Sequence, residues 1–368
     1  MVKYIHQWSD WPDFRWDNKR LADKLAAVRY RQGLLIGKMA SLGFPLRAEN
    51  ALNTMALDVL KSSEIEGEIL DREQVRSSIA RRLGVDIGPL APVSRNIEGV
   101  VDMMFDATRN HTAPLTTERL FGWHAALFPT GYSGMSKIKV GSWRDDANGP
   151  MQVVSGPIGR YRLHFEAPAA DRLKDEVAAF LYWFDRTDDA DGVLRAGVAH
   201  LWFVTIHPFA DGNGRIARAI TDMELSRSEK NDLRFYSMSA QIQKERDLYY
   251  KQLEHAQKGT LDITDWLQWF LECLDRTFDN VDETVAHVLK KARFWEACAG
   301  LSINDRQKKV LNMLLDGLDG KLTSSKWAKL SKCSQDTALR DIVDLIDKEL
   351  LAKGPGGGRN TSYSLVEP

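Results

Sequence analysis

The stretch from Val193 to Ile206 is apolar around most of its circumference, and His207-Pro208 ends it. A helix that is hydrophobic on all sides has to be wrapped by other elements, so this stretch predicts a central, buried helix. Proline disfavours the α region for the residue before it, which presents His207 at a helix terminus. Asp211-Gly-Asn-Gly214 then supplies a turn with two glycines, and a further helix starts at about Gly214. The chain is thereby committed to a helix–loop–helix at its centre.

Helical spacing dominates elsewhere too. A first helix is expected after Asp17, a fitting N-cap, with Leu21, Leu25, Val28, Leu35 and Met39 on one side and a stop near Gly43-Phe-Pro45. A second covers about 47–66, and loops rich in Gly and Pro fall near 84–94. Further helices are expected at about 171–186, 192–206, 214–228, 243–257 and 263–277. One exception is Met151 to Phe165, where two strand-like runs flank Gly156-Pro-Ile-Gly-Arg160 and read as a β-hairpin. The C-terminal part carries helices at Asp305 to Leu315, Ser324 to Lys332 and about 335–349. Gly354-Pro-Gly-Gly-Gly-Arg-Asn360 and a strand-like end follow them, a pattern similar to a winged helix-turn-helix. The expected class is mainly α, with an N-terminal helical domain at 1–94, a helical core at 95–280 and a winged-helix-like module at 300–368.

With 50 basic and 51 acidic residues among 368, the formal charge is -1, which argues against broad, unspecific binding to nucleic acid or membranes. Cys273, Cys298 and Cys333 are too few and too scattered for a disulfide framework or a zinc cluster. The N-terminus has no apolar run of signal-peptide length, and no stretch near the central loop could span a bilayer. A soluble cytoplasmic protein is the expectation.

The central loop suits phosphate chemistry. The free N–H groups and positive end of the helix starting near Gly214 form a ready anion site. Arg215 and Arg218 share one face of its first turn, and two guanidinium forks suit a polyphosphate. Asp211 is a single hard oxygen ligand, enough for a Mg2+ ion already shared with phosphates. His207 has an ordinary pKa of about 6.5 and can accept a hydroxyl proton near neutrality. His200, mid-helix among apolar residues, reads instead as a core or supporting histidine.

His207-Pro-Phe-Ala-Asp211-Gly-Asn-Gly-Arg215-Ile-Ala-Arg218 resembles the signature of the Fic family at every fixed position. The resemblance implies an all-α core that binds ATP and Mg2+ and moves AMP onto a Ser, Thr or Tyr hydroxyl of a target protein or of itself. In that reading His207 is the base, Phe209 anchors the loop and Asp211 holds the metal. Gly212, Asn213 and Gly214 would cradle the α- and β-phosphates, and Arg215 and Arg218 the outer ones. The hairpin, with Val153 and Val154 on its first strand, resembles the family's target-docking flap. Tyr249 and Tyr250 resemble the segment that closes around the base, although Gln257 stands where some relatives have Asn.

In the second helix Leu52, Met55, Val59, Ser62 and Glu66 follow spacings of three and four, so an apolar stripe runs into a hydroxyl and a carboxylate. Ser62-Ser-Glu-Ile-Glu66-Gly67 resembles the Fic inhibitory motif, which implies that Glu66 pairs with Arg218 and holds the enzyme off. Two other readings stand beside AMP transfer. One is hydrolytic removal of AMP at the same site. The other is a DNA-binding regulator that keeps the loop as a nucleotide sensor. In the C-terminal module Asp336, Asp341, Asp344 and Asp347 accompany Arg340 and Lys348, while Lys353 and Arg359 mark the wing. That acidity sets homodimer formation or target docking level with DNA contact.

Overall fold

Asp17 accepts from the Lys19 N–H at 2.9 Å and starts α1, Asn18–Ala40. The computed structural model describes residues 3–40, 44–147, 149–156, 160–186, 190–280, 290–291, 293–354 and 361–366. Helix α2, Phe44–Ile65, begins earlier than the expected 47, because a proline in a first turn costs no hydrogen bond. It also ends one residue before Glu66. The Glu66, Gly67 and Glu68 N–H groups bond back to the Ser63 and Glu64 carbonyls in a tight turn, and Gly67 takes the left-handed φ of 83°. Glu66 therefore sits on the turn just past the helix, where it and Ser62 still meet the same Arg218.

Helix α3, Arg72–Leu83, was absent from the sequence expectation although its stop signals are present. Asp71 accepts from the Gln74 N–H, and Gly84 closes the helix with φ 68°. Helices α4 (Arg95–Arg109), α5 (Thr117–Leu127), α6 (Leu173–Phe184), α7 (Gly192–Ile206) and α8 (Asn213–Glu229) form the centre. The helix expected over 243–257 is two pieces, α9 (Met238–Lys244) and α10 (Arg246–Gln257), broken at Glu245, and α11 spans Thr264–Thr277. Every residue of α7 from Val193 to Ile206 is buried, as its all-round apolarity requires. One continuous hydrophobic core runs from Ile5 to Phe278, so packing does not stop near residue 94.

Strands β1 (Tyr132–Ser133) and β2 (Ser136–Lys137) form a short hairpin that the sequence reading did not include. The expected hairpin is present as β3 (Gln152–Ser155) antiparallel to β4 (Arg162–Glu166), with a register shift between Val153 and Val154. Residues 157–159 of its turn lie outside the described residues.

A second hydrophobic cluster, including Phe294, Val310, Trp327, Ile342 and Leu351, organises the C-terminal part. It comprises helices Asp305–Leu315, Ser324–Ser331 and Gln335–Asp347 and the antiparallel pair Leu351–Lys353 with Tyr363–Leu365. Arg359 and residues 355–360 of the glycine-rich segment lie outside the described residues. Asp341 is tied down by Arg306 at 2.9 Å and Asp344 by Lys348 at 2.5 Å, so part of the acidity noted in the sequence is internally paired. Asp316 meets Arg76 of α3 at 3.2 Å and joins this part to the helical core.

Candidate active site

Helices α7 and α8 are joined by six residues, His207 to Gly212, bending through two left-handed positions. His207 sits at φ 51°, ψ 57°, and Gly212 at φ 82°, ψ 0°. Glycine is required at 212, where a Cβ would lie 2.9 Å from the Phe128 ring. The Asn213 side chain closes the loop on itself: Oδ1 accepts from the Phe209 N–H at 2.9 Å and Nδ2 donates to the Phe209 carbonyl at 2.8 Å. Phe209 is fully buried and stacks on His124 at 4.2 Å between centroids. Asn213 thus spends its side chain on holding the loop, which leaves its backbone at the helix start to face a ligand.

Arg144 fastens the other side. Its Nε donates to the His207 carbonyl at 2.8 Å and its Nη2 to the Pro168 carbonyl at 2.6 Å, and its backbone N–H donates to the Pro208 carbonyl at 2.9 Å. The loop and the end of the β3–β4 hairpin therefore share one buried guanidinium. No motif in the sequence pointed to Arg144.

His207 donates from Nδ1 to the Val204 carbonyl at 3.2 Å, which fixes the tautomer that leaves Nε2 with a bare lone pair. Burial lowers its pKa below the ordinary histidine value, aided by the Arg144 charge and opposed by Glu66 and Asp211. A neutral imidazole held in one tautomer is a proton acceptor. The Asp211 carboxylate accepts from the Gly212 N–H at 2.6 Å and from the Ser133 hydroxyl, a neighbour brought in by the unexpected hairpin. Among the described residues no three His, Cys, Asp or Glu side chains converge as a metal site. Asp211 alone still fits an ion that reaches the site already bound to phosphates.

Arg218 is 2% exposed, and the end of α2 meets it directly. Its Nε donates to the Ser62 Oγ and its Nη2 to the Ser62 carbonyl, both at 2.8 Å, and Nη2 also meets Glu66 Oε1 at 2.7 Å. The Glu66 carboxylate lies over the first turn of α8: a Cβ on Gly214 would be 2.2 Å from its Oε1. An acid therefore fills the place where the helix start would draw an anion. One residue beyond Gly67, Glu68 meets Arg215 at 2.8 Å, and the Arg215 guanidinium also lies 5.0 Å from the Phe128 ring centroid. Both motif arginines carry a carboxylate from the same turn. The acid at 68 was visible in the sequence, but its direction depends on the left-handed Gly67.

The two tyrosines differ. Tyr249 is buried, with its ring among His200, Tyr250 and Trp269, so it offers the site only its hydroxyl. Tyr250 is exposed, with its hydroxyl 3.5 Å from the Ile65 carbonyl. Gln257 is buried against Val204 and Thr205. In the hairpin Val153 packs towards Tyr4 and Phe165 while Val154 is exposed. His164 bridges Ser155 Oγ at 2.6 Å and Glu254 Oε2 at 2.8 Å, clipping β4 to α10.

The Fic/DOC family matches residues 114–225, and a domain of unknown function, DUF4172, matches residues 4–85. A protein adenylyltransferase Fic from Nematostella vectensis is 32% identical over 114 residues, 30% of this chain and 25% of that protein. A uridine 5'-monophosphate transferase from Xanthomonas campestris pv. campestris is 30% identical over 129 residues, 31% of this chain and 22% of that protein. The chain thus spans about a quarter of the length of these curated relatives. A crystal structure of a Fic family protein from Desulfovibrio desulfuricans G20 has the same fold, with TM-score 0.52 and 20% identity, covering 94% of this chain and 96% of that one. No described helix is long and apolar enough to cross a membrane. Residues 114–225, which hold the loop from His207 to Arg218, thus match the Fic/DOC family, and the chain has the fold of a Fic family protein.

Proposed function

We propose that the protein transfers AMP from ATP to a Ser, Thr or Tyr hydroxyl of a target protein, and that its own Glu66 holds it off. The observation that carries this is the Glu66 carboxylate, bound to Arg218 over the start of α8 beside a neutral, tautomer-fixed His207. With Glu66 and Glu68 displaced, the N-terminal N–H groups of α8 and the guanidinium groups of Arg215 and Arg218 are free to take the phosphates. Asp211 would hold the Mg2+ that ATP brings, whose chemistry is to neutralise phosphate charge. The acceptor hydroxyl gives its proton to His207 Nε2 as its oxygen bonds to the α-phosphorus. The bond from that phosphorus to the bridging oxygen breaks, and pyrophosphate leaves into the two arginines. The exposed Val154 edge of the β3–β4 hairpin would align the target segment by strand pairing.

Labelling by α-³²P-ATP and γ-³²P-ATP tests the reading on wild type, Glu66→Gly and His207→Ala/Glu66→Gly. Transfer of the α label alone is expected, raised about tenfold or more by Glu66→Gly and abolished by the added His207→Ala. Transfer of the γ label, or α transfer that survives loss of His207, would overturn it. Stronger labelling from α-labelled UTP would make uridylyl the transferred group. Loss of activity in Glu66→Gly would instead favour hydrolysis of AMP-modified protein, with Glu66 orienting the water. The C-terminal module is assigned to target docking or pairing with a second copy, since Asp341 and Asp344 are paired within it and add no cationic face for DNA.

A further inference from the structure

The β1–β2 hairpin has no part in the proposed chemistry, yet it delivers one hydroxyl to the loop. It grows out of the end of α5. The Gly131 N–H donates to the Phe128 carbonyl and the Ile138 N–H to the Gly131 carbonyl, both at 3.0 Å, which closes the hairpin at its base. Gly134 takes φ 54° at the first of the two loop residues, the backbone region a tight hairpin needs there. Side chains alternate along a strand, so with Tyr132 exposed, Ser133 faces the opposite way and is half-buried. There its hydroxyl donates to Asp211 Oδ2. Phe128, from which the hairpin springs, also sets its ring against Gly212 and 5.0 Å from the Arg215 guanidinium, so hairpin and loop share one support.

A carboxylate that is to hold a cation must present its oxygens in a fixed plane. Asp211 Oδ1 accepts from the Gly212 N–H at 2.6 Å, a bond within its own turn. That bond alone would leave the second oxygen to water. With the Ser133 hydroxyl on Oδ2, each oxygen holds one donor and keeps a lone-pair site, and rotation about the Cβ–Cγ bond would break both bonds. The serine oxygen, its one hydrogen spent, has only lone pairs to offer, which suits the waters that Mg2+ retains. We infer that Ser133 is a positioning residue for the Mg2+-bearing nucleotide: from the β1–β2 hairpin its hydroxyl fixes the plane of the Asp211 carboxylate. This inference rests on the nucleotide reading above, in which Asp211 takes the ion. It adds a partner outside the loop, 78 positions earlier in the chain.

The test measures binding of α,β-methylene-ATP, which cannot give up its AMP, by calorimetry in the Glu66→Gly background, with Mg2+ and with excess EDTA. Ser133→Ala is expected to weaken binding about tenfold in Mg2+, the scale of a lost partner of a metal ligand, and less than about twofold in EDTA. The Mn2+ affinity of the nucleotide complex, read from the paramagnetic resonance signal of the free ion, should fall by the same factor. Ser133→Thr should bind as the parent does, while Ser133→Val, of the same shape without the hydroxyl, should match Ser133→Ala. In an Asp211→Ala background Ser133→Ala should add less than about twofold. Equal weakening with and without Mg2+, or a full effect that persists without Asp211, would make Ser133 a packing residue of the loop and overturn the inference. A folded Glu66→Gly parent that binds equally in Mg2+ and EDTA would take the ion away from Asp211, and the inference with it, while nucleotide binding stands. A folded parent that binds in neither would sink the nucleotide reading itself, and this inference too.

Discussion

The loop from His207 to Arg218 and the turn from Ser62 to Glu68 face each other across two ion pairs, but they are fastened differently. The loop is braced from within by Asn213, from behind by Arg144, and by the stack of Phe209 on His124. The turn reaches the site with carboxylates that keep much of their exposure, 32% for Glu66 and 38% for Glu68. Against them stand arginine side chains that are 2% and 6% exposed. A half-solvated acid can exchange its partner for water at little cost, whereas a buried guanidinium needs an anion. On the proposed function, the ligand-facing half is built to stay and the covering half would be replaced by phosphates of the same charge.

That contrast can be broken most severely at Asn213. Replacing it by alanine leaves the Phe209 N–H and carbonyl buried without partners, at about 1–3 kcal/mol each. A fall of about 2–4 kcal/mol in unfolding free energy is expected, with labelling in the Glu66→Gly background reduced about 100-fold. Denaturant melts and initial rates would measure both, and an unaffected rate would show that the loop does not depend on its internal brace.

A smaller effect is expected at Glu68. Its pair with Arg215 is on the surface side, worth at most about 1 kcal/mol. Glu68→Gln should tighten MgATP binding about threefold, and further when combined with Glu66→Gly, as seen by calorimetry. Unchanged affinity in both backgrounds would mean that only Arg218 is covered to any effect.

The mildest expectation concerns pH. Burial depresses the His207 pKa, so the neutral, proton-accepting form exists above a value lower than the ordinary 6.5 or so. The rate of the Glu66→Gly variant should be flat through neutrality and fall only as acid protonates His207 below the ordinary histidine value. An acid limb centred at or above 6.5 would show that the burial seen here does not persist in the released enzyme.

Much of the helical order was legible because the signals are local. Asp17 caps a helix by the reach of its own side chain, and Pro208 ends α7 through a steric clash with its neighbour. The site was legible at His207, Asp211, Arg215 and Arg218 for the same reason, since one loop carries them all. Ser133 and Arg144 were not, because each reaches the loop from more than sixty positions away, with |i−j| of 78 and 63. Nor did spacing foretell that Tyr249 is a core residue and Tyr250 an exposed one. That split depends on which side of α10 meets α7 and α11.

By itself, then, the sequence determined a buried helix ended by proline, a glycine turn at the start of another helix, and two arginines on one face. These follow from backbone sterics and from periods of three and four residues, which act within one element. Only the tertiary structure decided that Glu66 and Glu68, on a turn past α2, lie over those arginines, and that Thr221 and Tyr249 meet the two ring nitrogens of His200. Such contacts join residues 21 to 152 positions apart, and no local rule sets the angle at which their helices cross.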